Sequence, residues 1–390
     1  LTNKKPRQIL VKLLPGFGLI AAFLISTAPP TAAEPITASL TPGQTARQSR
    51  SPLAEAHRRH AIIRGLRFIH RHALEPTNFS QYGSDYLWCF YTISASVDDL
   101  EVREMARTIG VELAIRWRQF HRELPKHVSA HLLVDFIHGS DAANSLGVRN
   151  EKLDAQIADA VRGFKTTDFF SFDPRTEPPP TDVPAECIFD QTRNARGARI
   201  CSRCQRRLTM RSRYDVWCEA LVDAYTAEHF GVSLGAEYQD VLKWLKAMKP
   251  YPRGKWSSDK DFVHSVYAVT HVVYTLNDYS QYTLPAELLP DEYQFLKQSL
   301  RRTILQRDPD MLGEIIDSLK SMGVRETDRD LRLGIDYLLA HQNADGSWGN
   351  PKARDNYDRY HTTWNGIAAL SNYSWRGMSP RVDRLKLLNY

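Results

Sequence analysis

Histidines, carboxylates and phenols recur in this 390-residue chain at spacings suited to proton transfer. His264, Tyr267 and His271 fall at steps of three and four and would line one face of a helix. Asp85, Asp215 and His361 are further acid–base candidates, because imidazoles and environment-tuned carboxylates exchange protons near neutral pH. Trp217, Tyr360 and Trp364 lie beside them in sequence and would contact a substrate. Cys218, His264 and His271 form a candidate metal set that leaves zinc or another divalent ion open as cofactor. The two histidines are about 10 Å apart along a helix, so the set needs help from a neighbouring element to hold one ion.

A second cluster is built from cysteine and arginine. Cys187, Cys201, Cys204 and Cys218 are spaced C-x13-C-x2-C-x13-C. Two disulfides are the favoured reading in an exported chain; a structural zinc site, for which C-x-x-C is a half-site, and free or redox-active thiols are the alternatives. Eight arginines and no acidic residue lie between Gln191 and Tyr214, after the stiff stretch "PRTEPPPTDVP". A crosslinked basic flap is expected, with Arg203, Arg206 and Arg207 drawing in an anionic ligand such as a carboxylate, a sulfate or an acidic polysaccharide.

Helices must position all of these residues. From residue 54 onward apolar residues recur at i, i+3, i+4 and i+7, with almost no strand pattern. Charged amphipathic helices are expected near 54–73, 100–122, 151–168, 236–248, 291–305 and 328–341. Each is followed by a more apolar partner, near 85–96, 129–145, 214–229, 261–277, 309–322 and 360–373. About six helical hairpins predict an all-α chain, arranged as an α/α toroid with the apolar helices inside, with an open solenoid of helix pairs as the alternative. The N-termini of the inner helices would then meet at one mouth, ringed by the long loops 169–213, 249–260 and 342–359. Asp85, Cys89, His131, Asp135, Asp215, Cys218, Glu219, His264, Asp310, Glu314 and His361 would stand there, and their convergence is the argument for a site.

Two stretches carry a family resemblance. "QNADGSWG" at 342–349 resembles the Q-x-x-D-G-S-W-G repeat of the terpenoid cyclases. "RYHTTWNGIAAL" at 359–370 looks like the helix that bears a zinc-binding histidine in protein prenyltransferase β subunits. Both families are α/α toroids, so the resemblance implies that fold and sets His361 in the zinc-histidine position. Asp215 and Cys218 stand as D-x-x-C where that family has D-x-C, on a helix expected across the ring from His361. The cyclase acid motif D-x-D-D has only "SVDD" at 96–99 as a counterpart, and D-D-x-x-D does not occur.

Residues 1–33 read as a signal peptide: four basic residues, the apolar run "LLPGFGLIAAFLIS", then a small-residue end at Ala33. A retained anchor is the other reading. Leu1 reads as a TTG start, hence a bacterial source. Residues 34–53 would be a disordered linker, and 54–390 the toroid domain with an insert at 169–213. Cleavage would lower the formal charge from +6 to +2, since four basic and no acidic residues lie in the leader. A nearly neutral mature chain gives no argument for nucleic acid, so none is expected as partner, and no later stretch could span a membrane. The expectation is a secreted or periplasmic enzyme, a lyase or hydrolase, acting on an anionic or carbohydrate-like substrate by His/carboxylate chemistry. Its alternatives are a metal-dependent or terpenoid-cyclase-like enzyme on a small apolar molecule, and a non-catalytic binding or scaffold protein.

Overall fold

The computed structural model describes residues 52–252, 259–353 and 355–386. The expected signal peptide and nearly all of the expected linker lie outside them. Among the described residues the chain is all-α, with fourteen α-helices and only isolated β-bridges. No helix among them is long and apolar enough to cross a membrane.

The helices come in pairs. They are α1 (Pro52–Leu74) and α2 (Pro76–Ser96), then α3 (Leu100–Phe120) and α4 (Ala130–Ser145). Next come α5 (Glu151–Val161), the short α6 (Thr166–Phe170) and α7 (Arg213–Phe230), with the insert between the last two. The short α8 (Tyr238–Leu242), extended by a 3₁₀ turn, precedes α9 (Lys260–Leu276). Two further pairs follow, α10 (Pro290–Gln306) with α11 (Pro309–Ser321) and α12 (Arg329–Ala340) with α13 (Asn356–Leu370), before the short α14 (Val382–Lys386).

Burial separates the two kinds of helix. Helix α5 buries a single stripe, Leu153, Ile157 and Val161. Helix α9 buries nearly every residue, from Phe262 to Leu276, because it is covered on all sides. The covered helices pack in succession: α2 on α4, α4 on α7, α7 on α9, α9 on α11 and α11 on α13. Helix α13 then returns against α1 and α2. Ser129, Ser212, Asp259, Asp308 and Asp355 cap five of these helices, each accepting a backbone N–H of the first turn. Helix α2 has no side-chain cap. It starts at Pro76, nine residues before the expected start, and kinks at Tyr82. Asp85 therefore lies just beyond the kink and not in a first turn.

The loop 342–349 fastens the last pair to the first. The Gln342 amide donates to the carbonyls of Ala61 and Gly346, at 2.8 and 2.9 Å. Arg64 donates to the Asn343 and Ala344 carbonyls, and Arg71 to that of Asp345. Gly346 takes φ +95°, and a Cβ there would stand 2.5 Å from the Arg64 carbonyl oxygen. Trp348 is 1% exposed and donates Nε1–H to the Leu338 carbonyl at 2.7 Å. Its ring fills the space left by the missing Cβ of Gly366 on α13 and, together with Ile367, that of Gly65 on α1.

Another close approach joins α11 to α13. A Cβ built on Gly313 would lie 2.6 Å from the Asn365 backbone. Backbone cannot swing aside as a side-chain tip can, so Gly313→Ala is expected to cost about 1–3 kcal/mol, toward the upper end, by forcing the helices apart. Urea denaturation reads this directly. An unchanged midpoint and slope would mean that the two helices are not in such contact.

Candidate functional site

The approach of α11 to α13 carries chemistry with it. Asp310 and Glu314 flank Gly313 on α11, while His361 and Asn365 are one turn apart on α13. His361 Nδ1 is 3.0 Å from Asp310 Oδ1, and its Nε2 is 3.8 Å from Glu314 Oε1. The Asn365 amide donates to both carboxylates, at 3.0 and 3.2 Å. From α9 the Tyr267 hydroxyl donates to Asp310 Oδ2 at 2.5 Å and the Thr270 hydroxyl to Glu314 Oε2 at 2.5 Å. Glu314 is 1% exposed and His361 8%, while the Asp310 side chain keeps 20% of its surface, so the network is buried at Glu314 and opens toward Asp310.

Burial and neighbouring charge set the protonation states. Burial pulls the His361 imidazole down, but Asp310 in contact, with Glu314 and Asp85 behind it, outweighs burial and raises it to about 9. Burial pushes the Glu314 carboxyl up to about 8, with Asp310 adding and His361, Thr270 and Asn365 opposing. Burial also opposes ionisation of Asp310, yet His361 and the hydrogen bonds hold it below the usual range. At neutral pH the centre is an imidazolium–aspartate pair beside a protonated glutamic acid.

A cavity of about 50 Å³ opens beside this centre, lined by His271, Glu314, His361, Trp364 and Asn365 at one end. Tyr274, Tyr279, Ser280, Asp317 and Tyr373 line the rest with the end of α2. That volume admits a few water molecules or one small group. Asp278, Tyr279 and Ser280 have φ of 57°, 49° and 64°. Three successive non-glycine residues in this region are strained, and the turn is held by Asn277, Tyr225 and Asp317. It delivers Tyr279 to the cavity wall.

Several expected residues meet here. Tyr267 and His361 share Asp310. His271 lines the cavity, donating from Nδ1 to the Tyr267 carbonyl at 2.8 Å, and burial lowers it to about 4, so it is neutral. Trp364 is a wall residue edge-on to His361. The Tyr360 hydroxyl donates to Asp85 Oδ2 at 2.6 Å, tying α13 to α2.

Others are elsewhere. Asp215 is paired with Arg211 at 2.7 Å, and Arg211 also binds Glu219, so it is a structural anion at the head of α7. His264 is occupied by the Ser212 cap at 2.7 Å. Trp217 is fully buried and donates to the Val241 carbonyl at 2.8 Å, which makes it core between α7 and α8 rather than substrate wall. Arg203, Arg206 and Arg207 are exposed on the insert and none lines the cavity; Arg206 stacks on Phe189. Cys218, His264 and His271 do not form a metal-sized group. The two expected disulfides are not seen among the described residues. All five are free thiols, and Cys218 lies on α7 with its Sγ 3.8 Å from the Tyr267 carbonyl oxygen, apart from the other three.

Sequence reasoning missed Asn365, His138 and Asp223. His138 on α4 is 3.2 Å from Asp223 on α7. Beside them Asp135 has one buried oxygen without a hydrogen bond in the described structure, and burial raises it to about 7 against the pull of His138 and Arg193. The i, i+4 steps Asp310–Glu314 and His361–Asn365 were visible as spacings, but no pattern within one helix names its partner on another.

A family model described as a domain of unknown function (DUF6895) matches residues 200–368, a stretch that includes Asp310, Glu314, His361 and Asn365 but not Asp85. No curated protein matches the chain.

The protonation states have a measurable consequence. Glu314 at about 8 against an ordinary 4.5, and His361 at about 9 against 6.5, both hold protons more tightly when folded. Such groups add stability that is fully present below the unfolded value and lost as pH rises through the folded value. Melting temperature is therefore expected to fall from about pH 4.5 to about pH 9, most steeply between 6.5 and 8, where both groups contribute. Glu314→Gln, neutral throughout, should flatten the part of the decline below about pH 8. Parallel curves for variant and wild type would show that Glu314 is already ionised at neutral pH.

Proposed function

We propose that this chain is an exported α/α-toroid enzyme, a hydrolase or lyase, acting on an uncharged carbohydrate-like substrate with Glu314, His361 and Asp310 as its acid–base centre. The observation that carries this reading is the imidazole of His361 set between the carboxyls of Asp310 and Glu314 at the edge of a cavity. The toroid is supported by the packing succession that ends with α13 against α1 and α2, and by the resemblance of 342–349 to the terpenoid cyclase repeat. Export is supported by the leader-like composition of residues 1–33.

In this reading Glu314 donates its proton to the leaving oxygen as that oxygen's bond to carbon breaks, a water adds to the carbon and returns a proton to the Glu314 carboxylate, and the adjacent imidazolium stabilises that carboxylate in between. Asp310 holds the His361 ring by Nδ1, leaving Nε2 toward Glu314 and the cavity. An anionic substrate is disfavoured, because Asp85, Asp310, Glu314 and Asp317 all stand close to the centre and Arg203, Arg206 and Arg207 do not line it. The cavity admits one group of a longer molecule, so the remainder would lie toward the rim. A second reading, turnover of a small apolar molecule, is favoured by the aromatic wall of Tyr274, Tyr279, Trp364 and Tyr373.

Mature protein should be incubated with panels of neutral and acidic oligosaccharides and of small terpenoids, with product release followed by mass spectrometry. Cleavage of a neutral saccharide is expected. It should fall roughly 100-fold or more in Glu314→Gln and His361→Ala and stay unchanged when Arg203, Arg206 and Arg207 are replaced by serine. Turnover of acidic saccharides alone, lost in the arginine variant, would overturn the substrate class. Conversion of terpenoids alone would establish the second reading.

A further inference from the structure

The insert contains a constellation that the cavity does not use. Cys187, Asp190, Cys201 and Cys204 each offer a ligand atom, and all four atoms lie within 4.8 Å of one another. Cys187 Sγ is 3.4 Å from Cys204 Sγ, and Cys201 Sγ is 3.6 Å from each Asp190 oxygen. A tetrahedron with metal–sulfur bonds of about 2.3 Å has edges of about 3.8 Å, so the four atoms already stand near the spacing one ion would impose. From these residues we infer a zinc site with three cysteine ligands and one aspartate, which clasps the insert.

The backbone supports this independently. "CIFDQT" at 187–192 and "CSRCQR" at 201–206 fold as the same turn. In the first, the N–H of Gln191 donates to the Cys187 carbonyl and the N–H of Cys187 to that of Thr192. In the second, the N–H of Gln205 donates to the Cys201 carbonyl and the N–H of Cys201 to that of Arg206. Gln191 and Gln205 take matching positive φ values of 57° and 59°. Two copies of one turn thus present C-x-x-D and C-x-x-C to a common point.

Energetics give the site its purpose. Cys187, Cys201 and Leu208 form a small core apart from the main one, with only Ala198, Cys204 and Met210 packed on it. Phe172 and Val183 anchor the approach to the turns in the main core, but these few side chains hold 187–208 only weakly by apolar burial, and small modules of that kind are held by metals or disulfides. Binding releases the three thiol protons to solvent, and the thiolates and carboxylate around a divalent ion leave a double negative charge. Arg203, Arg206 and Arg207, in and just after the second turn, offset it. The clasp also fixes Arg193, whose charge is felt by Asp135 on α4, Asp223 on α7 and Glu186 in the insert.

Elemental analysis and thiol titration of the purified full chain, with cobalt as a spectroscopic stand-in, test the site. One zinc per chain is expected, with an intense thiolate-to-cobalt band after exchange. Cys187→Ser and Cys204→Ser should lose the ion, while Cys89→Ser and Cys218→Ser should retain it. Asp190→Cys, which supplies a fourth thiolate, should keep it and strengthen the cobalt band, and this variant decides the matter if the serine variants do not fold. Chelation should expose the insert to protease while leaving the helical core intact. A chain that takes up neither zinc nor cobalt would overturn the proposal, as would a Cys187–Cys204 disulfide in protein isolated without oxidant.

Discussion

Trp348 is the contact on which the arrangement of the site depends. Its ring lies where Gly65 of α1 and Gly366 of α13 have no side chain, and its indole N–H is satisfied at Leu338. A helical succession of this kind is held locally by neighbour-to-neighbour packing. Its first and last members need a contact of high sequence separation, and the loop 342–349 supplies it with one buried ring and several hydrogen bonds to α1. Seating α13 there sets His361 and Asn365 against α11, where the absence of a side chain at Gly313 lets the backbones close to within reach of Asp310 and Glu314.

The buried faces of the covered helices are joined by polar pairs as well as by apolar packing. Tyr360 meets Asp85, His138 meets Asp223, His229 meets Asp141, Tyr267 and His361 meet Asp310, and Tyr225 meets Asp278. Each pair bridges two helices or a helix and the turn after its neighbour. Buried carboxylates left without such partners would be costly, and the partners supplied here are mostly titratable. The interior is consequently rich in carboxyls, and Arg203, Arg206 and Arg207 do not line the cavity within it. Much of the arginine run is spent locally: Arg196 pairs with Glu177 and Asp182, Arg211 pairs with Asp215 and Glu219, and others surround the cysteine turns.

Periodicity alone identified the paired helices, and it did so because a covered helix and a half-exposed one need different amounts of apolar surface. The ends were less legible. Helix α2 begins at Pro76, where a proline at the first turn replaces a polar cap, and its kink at Tyr82 broke the pattern used to find its start. Trp217 illustrates the same limit. Its position among first-turn residues suggested a cavity wall, but a helix has several faces, and this side chain points to α8 and is held by Val241.

What the sequence by itself determined was the helical repeat, the special loop at 342–349, and the residue types gathered near one set of helix ends. Those properties are local, encoded in 3.6-residue periodicity, turn chemistry and composition. Only the tertiary structure decided that His361 belongs with Asp310 and Glu314, that Asp215 is neutralised by Arg211, and that Asp190 rather than Cys218 completes the cysteine cluster. Each of those choices depends on which faces of distant segments meet, and on the desolvation that follows when they do.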